Sequence, residues 1–207
     1  MKNIILYIAL SLICRESYSQ PKSVLEKDKL EAINGYLDTI LKDKPKKIII
    51  TSEKINTNET IRMFLCDENN TYLCQYKVWE NNENVFLYNK EDFVKMKKKY
   101  QDTTSINKEK WLTNNYWKPE NFKNKYITFE PFEDVFVKLE HSLYPREKKT
   151  MIYSFSEPVY YKKMKYLLFS VTVGSTEFAH FHNSVVVMKK LKGKWVLIFE
   201  IGDYILN

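Results

Sequence analysis

His180 and His182 are the pair of side chains whose types and spacing most directly suggest chemistry. In a strand, residues two apart point to the same face, so both imidazoles could meet one transition metal. Two ligands are too few for such a site. A third would have to come from His141, Glu177, Glu157 or Asp203, none of which the spacing places. With that third ligand, the pair would support metal-assisted hydrolysis. The plainer reading is two partly exposed imidazoles at a loop edge, between Phe178, Phe181 and the strand that follows.

Cys66 and Cys74 are the second pair. Thr60–Cys66 and Tyr72–Trp79 flank the turn-rich segment Asp67–Thr71, which predicts a hairpin centred on Asn70. That register sets Cys66 opposite Cys74 on one face, at a separation a disulfide can span. The alternative is two buried thiols. A redox-active pair would be closer in sequence and at a helix start, so catalysis by these sulfurs is not indicated.

A third group is aromatic. Trp117, Tyr161 and Trp195 could line an apolar pocket held by a curved sheet. No GxSxG elbow, HExxH, phosphate loop or dinucleotide fingerprint occurs, and four glycines cannot build a glycine-rich cradle. Spacing brings none of Ser154, Ser156 or Ser170 to a histidine. Glu133 and Asp134 are adjacent and so point apart. No catalytic residue is assigned, and no cofactor beyond a metal ion is implied.

The elements that must position these residues read as follows. Ser23 and Glu26 have capping-box spacing, and Leu30, Ile33, Leu37, Ile40 and Leu41 recur at helical period, ending before Pro45. Ile48–Thr51 and Glu83–Tyr88 are predicted strands. Asn89–Asp92 opens a helix with Phe93, Val94 and Met96 on its apolar side and Lys97–Lys99 in its last turn. Residues 101–125 read as loop with a short helix near 119–124, its aromatics packed on the sheet; an exposed aromatic platform for sugars is the alternative. Phe132–Leu143 is a helix with Val135, Phe136, Leu139 and Leu143 facing a sheet. Met151–Tyr160, Lys165–Val173, Ser184–Lys190 and Trp195–Ile201 are four strands, the last two joined by a tight turn at Gly193. The expected class is α+β: one domain over residues 20–207, mainly antiparallel, with an N-terminal helix and one or two further packed helices. A boundary near residue 125 is the alternative.

The N-terminus carries an address. Lys2, the apolar run Ile4–Cys14 and the small residues Ser17 and Ser19 predict an export signal over residues 1–19, cleaved before Gln20. Ile13 is bulkier than the residue a lipid-anchoring signal places before its cysteine, which argues against an anchor at Cys14. No later apolar run is long enough to span a bilayer. The formal net charge is +7, and loss of Lys2, Arg15 and Glu16 lowers it by one. Its lysines come in scattered short groups, not along one stripe, which argues against nucleic acid as a partner. Weak attraction to anionic envelope surfaces is compatible with them.

Ser154–Tyr161, the strand Lys165–Phe169 and the hairpin Lys192–Ile198 together resemble a loose group of small exported bacterial proteins of unknown function, whose C-terminal half ends in a strand–loop–strand and a "GKW" hairpin. The resemblance covers about residues 130–207. Many of that group carry a Cys/Gly-rich loop where this chain has Val173–Ser175 to Phe181–His182 without cysteine, so that loop's role does not transfer. The resemblance implies a periplasmic or secreted location and no reaction. Three functional readings follow: a non-enzymatic binding or envelope-associated module, a metal-assisted hydrolase at His180 and His182, and a small-ligand binder with an apolar pocket.

Overall fold

The computed structural model describes residues 22–42, 47–65, 75–78, 87–104, 110–145 and 149–202. The expected export segment, Cys14, Cys66, Cys74, Asp203 and most of the strand expected at Glu83–Tyr88 lie outside the described residues.

Helix α1 (Lys22–Leu41) follows its apolar period: Ala32, Ile33, Tyr36 and Leu37 are buried, and Asp38 is exposed. Because Lys22 is already helical, Ser23 sits inside the first turn and does not cap it. Strand β1 (Ile48–Thr51) is buried along its whole length. Strand β2 (Glu53–Ile55) leads into helix α2 (Thr57–Phe64), which stands where a strand from Thr60 was expected. Two local signals favour the helix. The Asn56 side chain accepts from the Asn58 N–H as an N-cap, and Thr60, Ile61, Met63 and Phe64 bury one helical face. The hairpin that paired Cys66 with Cys74 is therefore not formed as expected. The described part of its second strand, β3 (Gln75–Val78), pairs with the last described strand instead.

Helix α3 (Lys90–Tyr100) is capped by Asn89, whose side chain accepts from the Asp92 N–H; Phe93 and Met96 are buried, whereas Val94 is exposed. The supposed loop after it holds strand β4 (Leu112–Tyr116), antiparallel to β2, and a single 3-10 turn at Pro119–Asn121. Trp117 and Phe122 are core residues, so those aromatics form no sugar platform. Strand β5 (Ile127–Glu130) precedes helix α4 (Phe132–Glu140). Val135 is buried there and Leu139 packs beside it, while Phe136 and Leu143 face outward.

The last third is β6 (Met151–Phe155), β7 (Val159–Tyr161), β8 (Tyr166–Ser175), β9 (Phe178–Leu191) and β10 (Lys194–Gly202). Strands β8 and β9 run on through the segment expected as a loop and leave only Thr176 and Glu177 to turn. Gly193 takes φ +81° in the β9–β10 turn, as the hairpin requires. Between β7 and β8, Lys162, Lys163 and Met164 all have positive φ (46°, 51° and 67°).

Among the described residues the strands form an eight-stranded sheet in the order β3-β10-β9-β8-β6-β1-β5, with β7 added beside β8. The β6, β8, β9 and β10 pairs are antiparallel, and β1 runs parallel to both β5 and β6. This is the expected α+β class. Helix α1 covers one face, against Tyr153, Phe155, Phe169, Val171, Val186 and Met188. Helices α2 and α3 cover the other, against Leu168, Val185 and Val187. Helix α4 packs on that second face beside Ile49 and Ile152, its Lys138 ammonium and the Tyr144 hydroxyl both donating to Glu130 at 2.8 Å.

Candidate functional site

Register assembles the site. Val173 of β8 pairs with Tyr153 of β6 on one side and His182 of β9 on the other. Directly opposed residues share a face, so Tyr153, Val173 and His182 form a row on the α1 side of the sheet. Residues two apart extend it to Met151 and His180. Helix α1 ends at Leu41; its last turn borders Tyr153 and Val173 but lines no volume with the histidines among the described residues. The sheet surface beyond its last turn is therefore a groove open to solvent.

Two open volumes make up the groove. The larger, about 530 Å³, is lined by Lys149, Met151, Val173, Gly174, Ser175, His180 and His182. The second, about 400 Å³, is lined by the end of α1 (Tyr36, Thr39, Ile40, Lys42), Tyr153, Val173 and Glu200. Val173 lines both and marks where they meet. Together they are of the size and character of a small-molecule site, an apolar floor with a few polar groups placed around it.

The two imidazoles touch edge to face, ring centroids 4.6 Å apart, with His180 exposed and His182 half-buried. Phe181, between them in sequence, points through the sheet to the opposite face. There its ring occupies the space a side chain at position 174 would need, since a Cβ on Gly174 would fall 2.5 Å from it. Lys149 enters from the segment just before β6 and pairs with Glu177 of the turn at 3.4 Å, both more than a third exposed. At the far end the Glu200 side chain is buried on β10. Burial, and then the nearby Glu200 charge, push the Tyr153 phenol up to about 12, so it stays protonated at neutral pH and can donate.

The candidates read from sequence are distributed as follows. His180 and His182 come together, but among the described residues no group of three or more His, Cys, Asp or Glu is arranged to hold a metal. Glu177 is engaged by Lys149, and Glu157 is held elsewhere by Lys29 and Lys54. His141 closes the end of α4, which packs on the opposite face. Trp117, Tyr161 and Trp195 are not brought together. Trp117 and Trp195 are buried on the α1 side, where the Trp117 indole donates to the Phe155 carbonyl at 3.1 Å; Tyr161 is buried on the other side, among Phe64 and Val159. They are core residues and line neither volume of the groove.

Ser154, Ser156 and Ser170 also lie away from the histidines. They belong to a buried hydroxyl network in which Thr51 donates to Ser154 at 2.7 Å and Thr60 meets Ser156 at 2.9 Å and Ser170 at 3.0 Å. Ser175 does share the larger volume with both imidazoles, yet among the described residues no hydrogen bond links its hydroxyl to either ring. Sequence reasoning missed Lys149, Tyr153, Val173 and Glu200. They come from three separate stretches of chain, and only the pairing of β6, β8, β9 and β10 brings them to one surface.

No protein-family model matches this chain, and neither does any curated protein or solved structure. What the fold and groove define is an α+β protein with a mixed sheet and an open, polar-ended cleft beyond its first helix. No helix among the described residues is long and apolar enough to cross a membrane.

Proposed function

We propose that this chain is an exported binding protein that takes a small ligand in the groove beyond α1. The observation that carries the reading is the row Tyr153–Val173–His182, which runs from the core at the end of α1 out to open space beside the histidines. It gives an apolar floor, with the imidazoles and Lys149 at one end and the buried Glu200 at the other. Export is supported by the charged, apolar and small-residue order of residues 1–19, and by the resemblance of residues 130–207 to small exported bacterial proteins.

The test is to fill the floor. Val173→Phe puts a ring where the two volumes meet, and a ligand-observed NMR screen of a fragment library is run on both proteins. Fragments that bind the parent and lose their signal with Val173→Phe support the reading. A screen in which no binder responds to that change overturns it.

A second reading, a metal-assisted hydrolase, rests on the 4.6 Å contact of His180 and His182 over a solvent-filled cleft. Zinc titration by calorimetry tests it. Stoichiometric binding lost in both His180→Ala and His182→Ala would put this reading first; no measurable binding would remove it.

A further inference from the structure

We infer that the ligand of this groove is an anionic amphiphile, its carboxylate or phosphate head held by Lys149, His180 and His182 and its apolar body laid over Val173. This rests on the groove being the binding site. Three of the seven described residues that line the larger volume are ionisable, all three are nitrogen bases, and none of the described lining residues is a carboxylate. The Ser175 hydroxyl adds a neutral donor, and Met151 and Val173 supply the apolar contact. A carboxylate or phosphate head at this end therefore finds the Lys149 ammonium as a charge-assisted donor, with imidazole and hydroxyl donors beside it, whereas a cationic head there meets the repulsion of Lys149. The Glu177 carboxylate faces Lys149 from the turn, outside the lining. Both partners of that pair are more than a third exposed, so an incoming anion competes with a contact already screened by water.

The same geometry sets the length and the far end. His182 lies four residues along β9 from Val186, whose register partner on β10 is Glu200. At strand spacing that is about 13–14 Å, a reach for an extended chain of about ten carbons. Beyond Val173 such a chain runs past Tyr36, Ile40 and Tyr153 and arrives at Glu200, with Lys42 at the rim.

The experiment is calorimetric titration of the full chain, with chelator present so that a metal-bound carboxylate is not read as binding. The probes are decanoate and decyltrimethylammonium, each below its micelle concentration. Decanoate is expected to bind, and the ammonium at least about tenfold more weakly. Lys149→Met at an exposed position and His182→Gln at a half-buried one should each weaken decanoate by about tenfold while circular dichroism shows both folded. Equal affinity for the cationic probe, or no effect of either variant, overturns the anionic assignment. If Val173→Phe still blocks binding in that case, the groove remains the site and only the ligand class is wrong. If Val173→Phe changes no probe, the groove itself is wrong.

Flotation with phosphatidylglycerol vesicles, against phosphatidylcholine vesicles, then separates the sources. Flotation with phosphatidylglycerol that Val173→Phe abolishes assigns the head to a membrane lipid. Decanoate binding without flotation assigns it to a dispersed amphiphile.

Discussion

The two faces of the sheet handle polar groups in opposite ways. On the face under α2, α3 and α4, a seam of hydroxyls (Thr51, Thr60, Ser154, Ser156, Ser170 and Thr172) is buried between two apolar clusters. Each finds a partner within the protein: Ser170 N–H donates to both Thr60 and Ser156, and the Thr172 hydroxyl donates to Asn183 at 2.5 Å. On the α1 face, the apolar cluster is continuous as far as Phe155 and Tyr153, and beyond the helix end the polar groups border open space. A buried polar group must be satisfied from inside or carry a desolvation cost, so the seam is architecture. Polar groups beside an open apolar floor are available to something from outside, as the more numerous buried hydroxyls are not.

Four substitutions would break or sharpen that contrast. Phe155→Ala removes a fully buried ring stacked among Tyr36, Tyr153 and Phe169 under α1. It should cost about 3–5 kcal/mol in urea unfolding, and a value under 1 would mean the α1 face is loosely packed. Thr60→Val keeps shape and deletes the hydroxyl that Ser156, Ser170 and the Ser170 N–H share. A loss of about 1–3 kcal/mol is expected, and a neutral result would show that the seam does not depend on this partner.

Glu157→Gln disconnects the cluster that ties α1 and β2 to the segment after β6. Burial works against both charges there, but the contact with Lys29, helped by Lys54, still holds Glu157 below the usual carboxylate range, and Glu157 raises Lys29. For a carboxyl lowered by folding, the stabilisation is present above its unfolded value of 4.5 and is lost as pH falls through the folded value. For the raised Lys29, it is present below 10.5 and lost as pH rises through the folded value. The variant should flatten both arms of a stability–pH curve, by about 1 kcal/mol or less because the pair is only partly buried. Unchanged arms would show the cluster to be inert. Last, His180→Ala should change the melting free energy by less than about 0.5 kcal/mol, as an exposed residue beside an open groove allows. A larger loss would make it part of the architecture.

The elements legible in the chain were those whose signals are local. Helix α1 has its apolar period, α3 its Asn89 cap and terminal lysines, and the β9–β10 hairpin its Gly193 turn. Thr57–Phe64 misled because β-branched Thr60 and Ile61 next to apolar residues suit a strand as well as a helix. The deciding feature, an Asn56 cap with Glu59 in the first turn, sits upstream of the run. Strands β2, β4 and β5 are three to five residues long, and β5 pairs parallel to a strand about eighty residues away, so nothing nearby marks it. The site divides along the same line. That His180 and His182 share a face follows from strand periodicity alone. Their neighbours Lys149, Tyr153, Val173 and Glu200 depend on a register that no short window contains. The three aromatics picked for a pocket failed for another reason: a ring suits a cavity wall and a packed core equally, and only coverage by α1 on one side and α2 and α3 on the other decides between them.

The ring of Phe181 seated over Gly174 bears on how fast this groove can work. Because that ring is wedged on the far side of the hairpin, strand β9, which carries both His180 and His182, cannot slide along β8 without dislodging it. The imidazoles are thus mounted on a stiff platform whose ordering entropy was lost during folding, leaving little to be lost on capture. Association should then follow a single, concentration-proportional phase in stopped flow, limited by encounter and not by a slow rearrangement of the hairpin.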